Sequence, residues 1–143
     1  MKPIENHRDL IAWHKAIALA SGVYAATRKL PTEESDGLAS QLRKAAVSIP
    51  SNIAEAVARR SRPDFLQFLH TARGSLSELE TQLMIASAQQ FIDERDPVIE
   101  MTSEVRCLLN GLIRGLTCQR RESHAAACAP DPAIRQETRP INR

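Results

Sequence analysis

The sequence predicts an all-α protein that folds as an up-down-up-down four-helix bundle, and three observations support this class. The composition is 43% apolar and 25% charged but only 3% aromatic, which favours helices over strands. Apolar residues recur at spacings of three and four in four separate segments, as on one face of a helix. The connections between these segments are short, so consecutive helices should lie antiparallel. Residues 1–116 are therefore expected to form one domain.

The first helix is predicted over residues 9–29. Its apolar stripe comprises Leu10, Trp13, Ile17, Ala20 and Tyr24. The segment LPTEESDG follows, in which Pro31 ends the helix. Ser35 and Asp36 are both suitable N-caps for the next helix.

The second helix contains a proline in the middle of its apolar stripe. That stripe comprises Leu38, Leu42, Ala45, Ile49, Ile53 and Ala56. It resumes after Pro50 with nearly the same phase, which predicts one kinked helix rather than two short ones. Pro50 leaves the carbonyl of Ala46 without its helical donor. Ser48, Ser51 and Asn52 have two possible roles, either to satisfy such backbone groups or to form a polar contact surface.

The third and fourth helices both begin with capping signals. Ser61 is the predicted N-cap of the third, followed by Pro63 and Asp64 in the first turn. Its heptad is Phe65, Leu69, Ala72, Leu76, Leu79, Leu83 and Ala86. Asp96 is the predicted N-cap of the fourth, with Pro97 as its first residue. Its stripe is Val98, Met101, Val105, Leu108, Leu112 and Leu116.

Some apolar residues lie outside these stripes, and they predict self-association. They are Leu66, Phe68, Ile85, Leu109 and Ile113. A monomer with such wide apolar stripes would leave hydrophobic surface for a partner.

The last 27 residues, 117–143, lack this periodicity. They contain three prolines and five arginines but few large apolar residues. We expect a disordered tail, with a helical start near residues 118–121 as the alternative.

Several classes of function are not expected. No Glu-x-x-His pair occurs, which di-metal bundles require, so no metal and no cofactor are predicted. Ser48 and Ser51 lack a nucleophile elbow, Cys107 is better explained by packing, and no glycine-rich phosphate loop is present. The protein is therefore not expected to be an enzyme or to have a small-molecule substrate.

The cysteines and the hydropathy bear on localisation. The three cysteines show no paired spacing, which indicates reduced thiols in a cytoplasmic protein. The first residues resemble no signal peptide, and no apolar run is long enough for a membrane helix.

Charge is unevenly distributed along the chain, although the net charge is only +2. Residues 37–73 contain six basic residues against two acidic ones, whereas residues 93–104 contain five acidic residues against one arginine. This polarity suits an anionic ligand, or a contact between the basic end of one copy and the acidic end of another.

Four motifs of this sequence resemble a known family. They are RDLxxWxKA (8–16), LxSQLRKAAVSIPSNIAE (38–55), RRS (59–61) and GSLSELETQL (74–83). They are similar to bacterial four-helix-bundle proteins encoded by intervening sequences in 23S ribosomal RNA genes. These are related to the accessory variability determinant proteins of diversity-generating retroelements. The resemblance spans roughly residues 7–116.

The resemblance implies a small bundle that assembles into a ring-like homopentamer. The retroelement relatives are basic, bind nucleic acid and work beside a reverse transcriptase. The chain departs from the family pattern at Ala56, where a glycine is usual, and residues 117–143 have no counterpart. The resemblance also implies that Pro50 redirects the second helix so that the arginines after it project near the end of the bundle.

The candidate nucleic-acid-binding residues are Arg59, Arg60 and Arg62, with Arg43 and Lys44 as secondary candidates. Arginines supply the positive donors that phosphates require, and a ring would repeat a weak site several times. No aromatic residues interleave with the arginines, so sequence-specific readout of RNA or DNA is not expected. The alternative is a purely structural ring in which these arginines form ion pairs with Asp93, Glu94 or Asp96 of a neighbour.

Overall fold

The computed structural model describes residues 4–127, with side chains except at 120 and 123–127. Four α-helices dominate the chain: α1 (Ile11–Thr27), α2 (Leu38–Ala58), α3 (Arg62–Ala88) and α4 (Pro97–Ala127). Two 3-10 turns are also present, one before α1 at His7–Asp9 and one between α1 and α2 at Thr32–Glu34. No strand occurs within residues 4–127. The predicted all-α class is confirmed.

The helices pack in a cyclic order. Each helix contacts its neighbour in sequence and α4 also contacts α1, whereas within residues 4–127 α1 does not pack against α3, nor α2 against α4. Lys29 just after α1 pairs with Asp96 at the start of α4, and Lys15 pairs with Glu104. These pairs are what antiparallel α1 and α4 require, and the arrangement agrees with an up-down-up-down bundle.

The buried face of α1 differs from the prediction. It comprises Ala12, Ala16, Leu19, Val23, Ala26 and Thr27. Ile17 and Tyr24, two members of the predicted stripe, are 42% and 40% exposed. The stripe was wrong because alanines occupy half of the true core face, so the larger apolar residues beside it determined the apparent phase. The helix also begins two residues later than predicted, after a 3-10 turn capped by Asn6.

Pro50 lies within one continuous α2, as predicted, and is buried. Ser51 Oγ donates to the carbonyl of Val47 at 2.8 Å, and Asn52 Nδ2 donates to that of Ser48 at 2.8 Å. These polar residues therefore bond backbone carbonyls around the proline, although not that of Ala46. Ser48 Oγ also lies 2.8 Å from Ser75 Oγ, which links α2 to α3.

The start of α2 is capped differently from the prediction. Gly37 occupies the N-cap position and has no side chain that could cap the helix. Instead, Glu34 Oε2 accepts a bond from the N–H of Leu38 at 3.1 Å. Neither Ser35 nor Asp36 is therefore the N-cap, because a longer acidic side chain from the 3-10 turn reaches the first free N–H of α2.

The predictions for α3 are confirmed almost throughout. Ser61 is its N-cap, and Ser61 Oγ accepts a bond from the N–H of Asp64 at 3.2 Å. The heptad residues are buried, except that Phe65 is half-buried. The predicted stripe of α2 is also buried, apart from the half-buried Leu38.

The core face of α4 was predicted only in part. Val98 and Val105 are buried as expected, but Leu109 and Ile113 are buried too, although they were assigned to a partner surface. The predicted stripe residues Met101, Leu108, Leu112 and Leu116 are half-buried. Among the other residues assigned to that surface, Leu66 and Phe68 are half-buried and Ile85 is 47% exposed.

The end of α4 lies eleven residues beyond the predicted bundle boundary at residue 116, at Ala127. The disorder predicted for residues 117–143 is therefore wrong for residues 117–127, whereas the alternative of a helical start near residues 118–121 agrees with the structure. The remaining residues, 128–143, lie outside the described residues. Thr117 Oγ1 donates to the carbonyl of Ile113 at 2.8 Å. The alanines at 125–127 and the absence of proline between residues 98 and 129 favour this continuation.

Candidate nucleic-acid interface

The three main candidate arginines lie at one end of the bundle, where α2 ends and α3 begins. We call Arg59, Arg60 and Arg62 the basic end. Arg62 Nη2 donates to Gln119 Oε1 of α4 at 3.2 Å. This contact shows that the C-terminal part of α4 reaches the same end of the molecule.

Arg59 is positioned by neighbours on α2 and α3. Its guanidinium pairs with Glu55, one turn earlier on α2. The guanidinium carbon also lies 4.5 Å from the centre of the Phe68 ring, within the range of a cation–π contact. These contacts orient Arg59 and partly neutralise it, and its side chain remains 42% exposed.

Arg60 is exposed and has no partner in the described part of the chain. The α3 N-terminus beside it adds little attraction for an anion, because Ser61 Oγ already accepts the N–H of Asp64. Asp64 also adds an exposed negative charge to this first turn, and that charge opposes an incoming anion. Attraction at this end therefore depends mainly on the arginine side chains.

The secondary candidates Arg43 and Lys44 are not brought to the basic end. Arg43 precedes Arg59 by sixteen residues, which is on the order of 24 Å along a helix. Arg43 Nε donates to Thr27 Oγ1 at 2.9 Å, and its guanidinium lies 4.9 Å from the centre of the Tyr24 ring. Lys44 is exposed. The structure thus separates the five candidates into two groups.

Two further exposed arginines lie on the part of α4 that reaches this end of the bundle, and neither was among the candidates. Arg114 and Arg121 are exposed and lie within two turns of Gln119, but on nearly the opposite side of the helix from it, so they point away from Arg62. Arg121 was left out because the bundle was predicted to end at residue 116. The uninterrupted run of helix-forming residues after Leu116 was the signal that could have placed it there.

The acidic residues cluster at the opposite end. Asp96 Oδ2 accepts a bond from Lys29 Nζ at 2.9 Å, and the Asp96 side chain is 8% exposed. Burial alone would raise the pKa of Asp96, but bonds from Lys29 and from the N–H of Val98, with the charge of Lys29, hold that pKa below its ordinary value. Asp96 is thus engaged within its own chain, whereas Asp93 and Glu94 are exposed.

The described residues offer little for other chemistry. They contain no group of three His, Cys, Asp or Glu side chains that could hold a metal ion. Within the same range, no helix combines the length and the apolarity that crossing a bilayer requires. Cys107 and Cys118 are free and exposed.

The antiparallel helices and charged ends define a small four-helix-bundle protein. The chain belongs to the 23S rRNA-intervening sequence protein family, which matches residues 8–111. Its fold is similar to the crystal structure of a protein of unknown function from the S23 ribosomal protein family of Bacteroides thetaiotaomicron VPI-5482. The TM-score is 0.67 at 24% identity, covering 72% of this chain and 98% of that one. At this identity the likeness shows the fold alone. No curated protein matches the sequence.

Proposed function

We propose that the protein is a non-enzymatic, self-assembling module of the cytoplasm that binds RNA or DNA through its basic end. The observation that carries this proposal is Arg60, which is exposed and has no partner among the described residues. It lies between Arg59 and Arg62 in the chain, whose guanidinium groups are oriented by contacts within the same residues. Phosphate groups are recognised by such positive, multi-donor side chains.

The contact is expected to be weak for each copy and indifferent to base sequence. Within the described residues, the phenylalanines beside the basic end, Phe65 and Phe68, are half-buried, and Phe68 lies beneath Arg59, so neither offers an exposed ring on which a base could stack. Glu55 and Asp64 also offset part of the positive charge. Useful affinity would therefore come from several copies acting together, as in the homopentamer that the family resemblance suggests.

Salt-dependent binding tests this proposal. The triple variant Arg59→Gln, Arg60→Gln, Arg62→Gln should bind mixed-sequence RNA or DNA more weakly than the wild type. It should also show a smaller salt dependence, because each neutralised phosphate contributes a slope of ~0.7–0.9 in log K against log salt. A matched control replaces three arginines outside the basic end, Arg28, Arg73 and Arg95, by glutamine. It should retain most of the affinity if the basic end is the site.

A structural ring without nucleic-acid binding is the second candidate. It is favoured by the contacts that Arg59 and Arg62 already make with Glu55, Phe68 and Gln119, since an engaged arginine is less available to a phosphate. If the arginines instead join subunits through Asp93 or Glu94, the triple variant should lose oligomer mass. Absence of binding by the wild type at low salt would contradict the nucleic-acid proposal and favour the structural one.

A further inference from the structure

A mixed basic and apolar surface lies along the outer edge of α1 and α2. We call it face A, defined by Tyr24, Arg43, Lys44 and Val47. Tyr24 and Val47 are 40% and 43% exposed, and with the two basic residues they border a depression of about 530 Å³. Face A therefore leaves apolar side chains in water beside a positive charge, which is unfavourable for an isolated molecule.

A mixed acidic and apolar groove lies between α3 and α4. We call it face B, defined by Glu80, Leu83, Met84, Glu94 and Ile99. The groove encloses about 640 Å³, and Met84 is the most exposed of the large apolar side chains in the described range at 73%. A flexible methionine exposed over an apolar groove is typical of surfaces that adapt to a partner.

The two faces lie on opposite flanks of the bundle at the same height. The cyclic helix order puts the α1/α2 edge opposite the α3/α4 edge. Gly22, near Tyr24, faces Met101 and Val98: a Cβ atom on it would meet their side chains at 3.3 and 3.6 Å. These two residues flank Ile99 of face B in sequence. Copies placed side by side with parallel axes would therefore bring face A of one against face B of the next.

The free charges on the two faces are complementary. Arg43 is engaged with Thr27 and Tyr24 on face A, and Glu80 is engaged with Arg106 beside face B, with Arg106 Nε 3.0 Å from Glu80 Oε1. Lys44 and Glu94 are exposed, and neither has a partner in the described part of the chain. Face A thus carries two positive charges that no carboxylate in the described residues neutralises, Arg43 and Lys44, and face B carries one free negative charge, Glu94.

We propose that a second copy of this chain occupies face B through its face A, with Lys44 paired to Glu94 and Met84 packed toward Tyr24 and Val47. The inference deepens the self-assembly part of the proposed function and is independent of nucleic-acid binding. Two different surfaces make this contact heterologous, so successive copies form a ring if the rotation closes. All copies then point in the same direction, and their basic ends gather on one side of the assembly.

Charge reversal tests the pairing of the two faces. Lys44→Glu and Glu94→Lys should each weaken the oligomer at low salt. The protein concentration at which half of the oligomer has dissociated, measured by sedimentation, should rise several-fold for each variant. The double variant with both exchanges should recover most of the loss, because the attraction is restored with reversed sign. Met84→Lys should dissociate the oligomer more strongly, since it places an unpaired charge in the apolar centre of the contact.

Two variants with the same charge changes at the other end of the molecule serve as controls. Arg8→Glu and Glu122→Lys should leave the dissociation concentration unchanged, and circular dichroism checks that every variant is folded. The pairing of these faces would be overturned if Lys44→Glu and Glu94→Lys dissociated at the same concentration as the wild type. It would also be overturned if the double variant dissociated as readily as the single variants. A monomeric wild type would instead overturn self-assembly itself, whereas loss of nucleic-acid binding with the oligomer intact would leave the pairing standing.

Discussion

Asp96 stabilises the start of α4 in two ways. Its Oδ1 accepts a bond from the N–H of Val98 at 3.1 Å, and its Oδ2 accepts one from Lys29 Nζ at 2.9 Å. The first bond caps a helix N-terminus. The second ties the end of α1 to that cap, so a single residue joins the first and last helices of the bundle.

The lowered pKa of Asp96 predicts how stability changes with pH. Because its folded pKa lies below the ordinary value of 3.8, the charged carboxylate stabilises the folded state above that ordinary value. This contribution is lost as the pH falls through the lowered folded pKa. Asp96→Asn should therefore be less stable than the wild type near neutral pH, and the difference in the free energy of unfolding should disappear in acid.

Asp96→Ala should be less stable than Asp96→Asn, because asparagine still caps a helix whereas alanine does not. Losing a cap costs about 0.5–2 kcal/mol. Urea unfolding along an acid titration measures both differences. Glu33→Gln, which alters an exposed carboxylate, is the control and should give a small difference. An Asp96→Asn deficit that persists unchanged into acid would contradict this assignment.

At the scale of the element, α4 combines two regions with different packing. Up to Ile113 it contributes buried core residues, and beyond Leu116 its described side chains are exposed or half-buried. The contact between Gln119 and Arg62 ties this outer part to α3. Helix formation there relies on continuity with the packed part, since isolated short helices are marginal in water.

Truncation separates the contributions of the two regions. A chain that ends at Arg121 retains Gln119, so its melting temperature and oligomer mass should match those of the full-length protein. A chain that ends at Leu116 loses the contact with Arg62, and we expect its melting temperature to fall by a few degrees. Thermal unfolding followed by circular dichroism measures this. A fall of several degrees for the longer chain would show that residues after Arg121 contribute to packing.

At the scale of the whole molecule, the bundle has an arginine-rich end, an acidic end and apolar side chains left on its flanks. Large exposed apolar residues occur on α1, α2 and α3: Ile11, Ile17, Tyr24, Val47, Met84 and Ile85. Such surface on a small protein is typical of a site for a partner. Self-association would bury part of it without using the basic end.

Light scattering at micromolar concentrations should therefore return an oligomer, with a pentamer expected from the family resemblance. The apolar flanks supply the driving force, so the mass should be less sensitive to salt than nucleic-acid binding is. A dimer or tetramer would contradict only the stoichiometry. A monomer across the whole concentration range would contradict self-assembly.

Most of the fold was predictable from the sequence because its local signals agree with the tertiary structure. The heptad of α3 and the caps Ser61 and Asp96 act over a few residues, so their spacing alone indicates helix starts and a buried face. Pro50 was correctly placed inside one helix because the apolar phase continues across it. For the site, the sequence identified Arg59, Arg60 and Arg62 as a cluster, since the three are almost adjacent in the chain.

The four helices, their order and the arginine cluster were thus determined by the sequence itself, through periodicity and capping that act locally. Only the tertiary structure decided which α1 face is buried and that Leu109 and Ile113 belong to the core. It also decided that Arg43 bonds Thr27 rather than joining the cluster, and that the end of α4 reaches Arg62 through Gln119. The physical reason is that burial and long-range contact depend on where other helices lie, and a residue's own neighbours in sequence do not specify this.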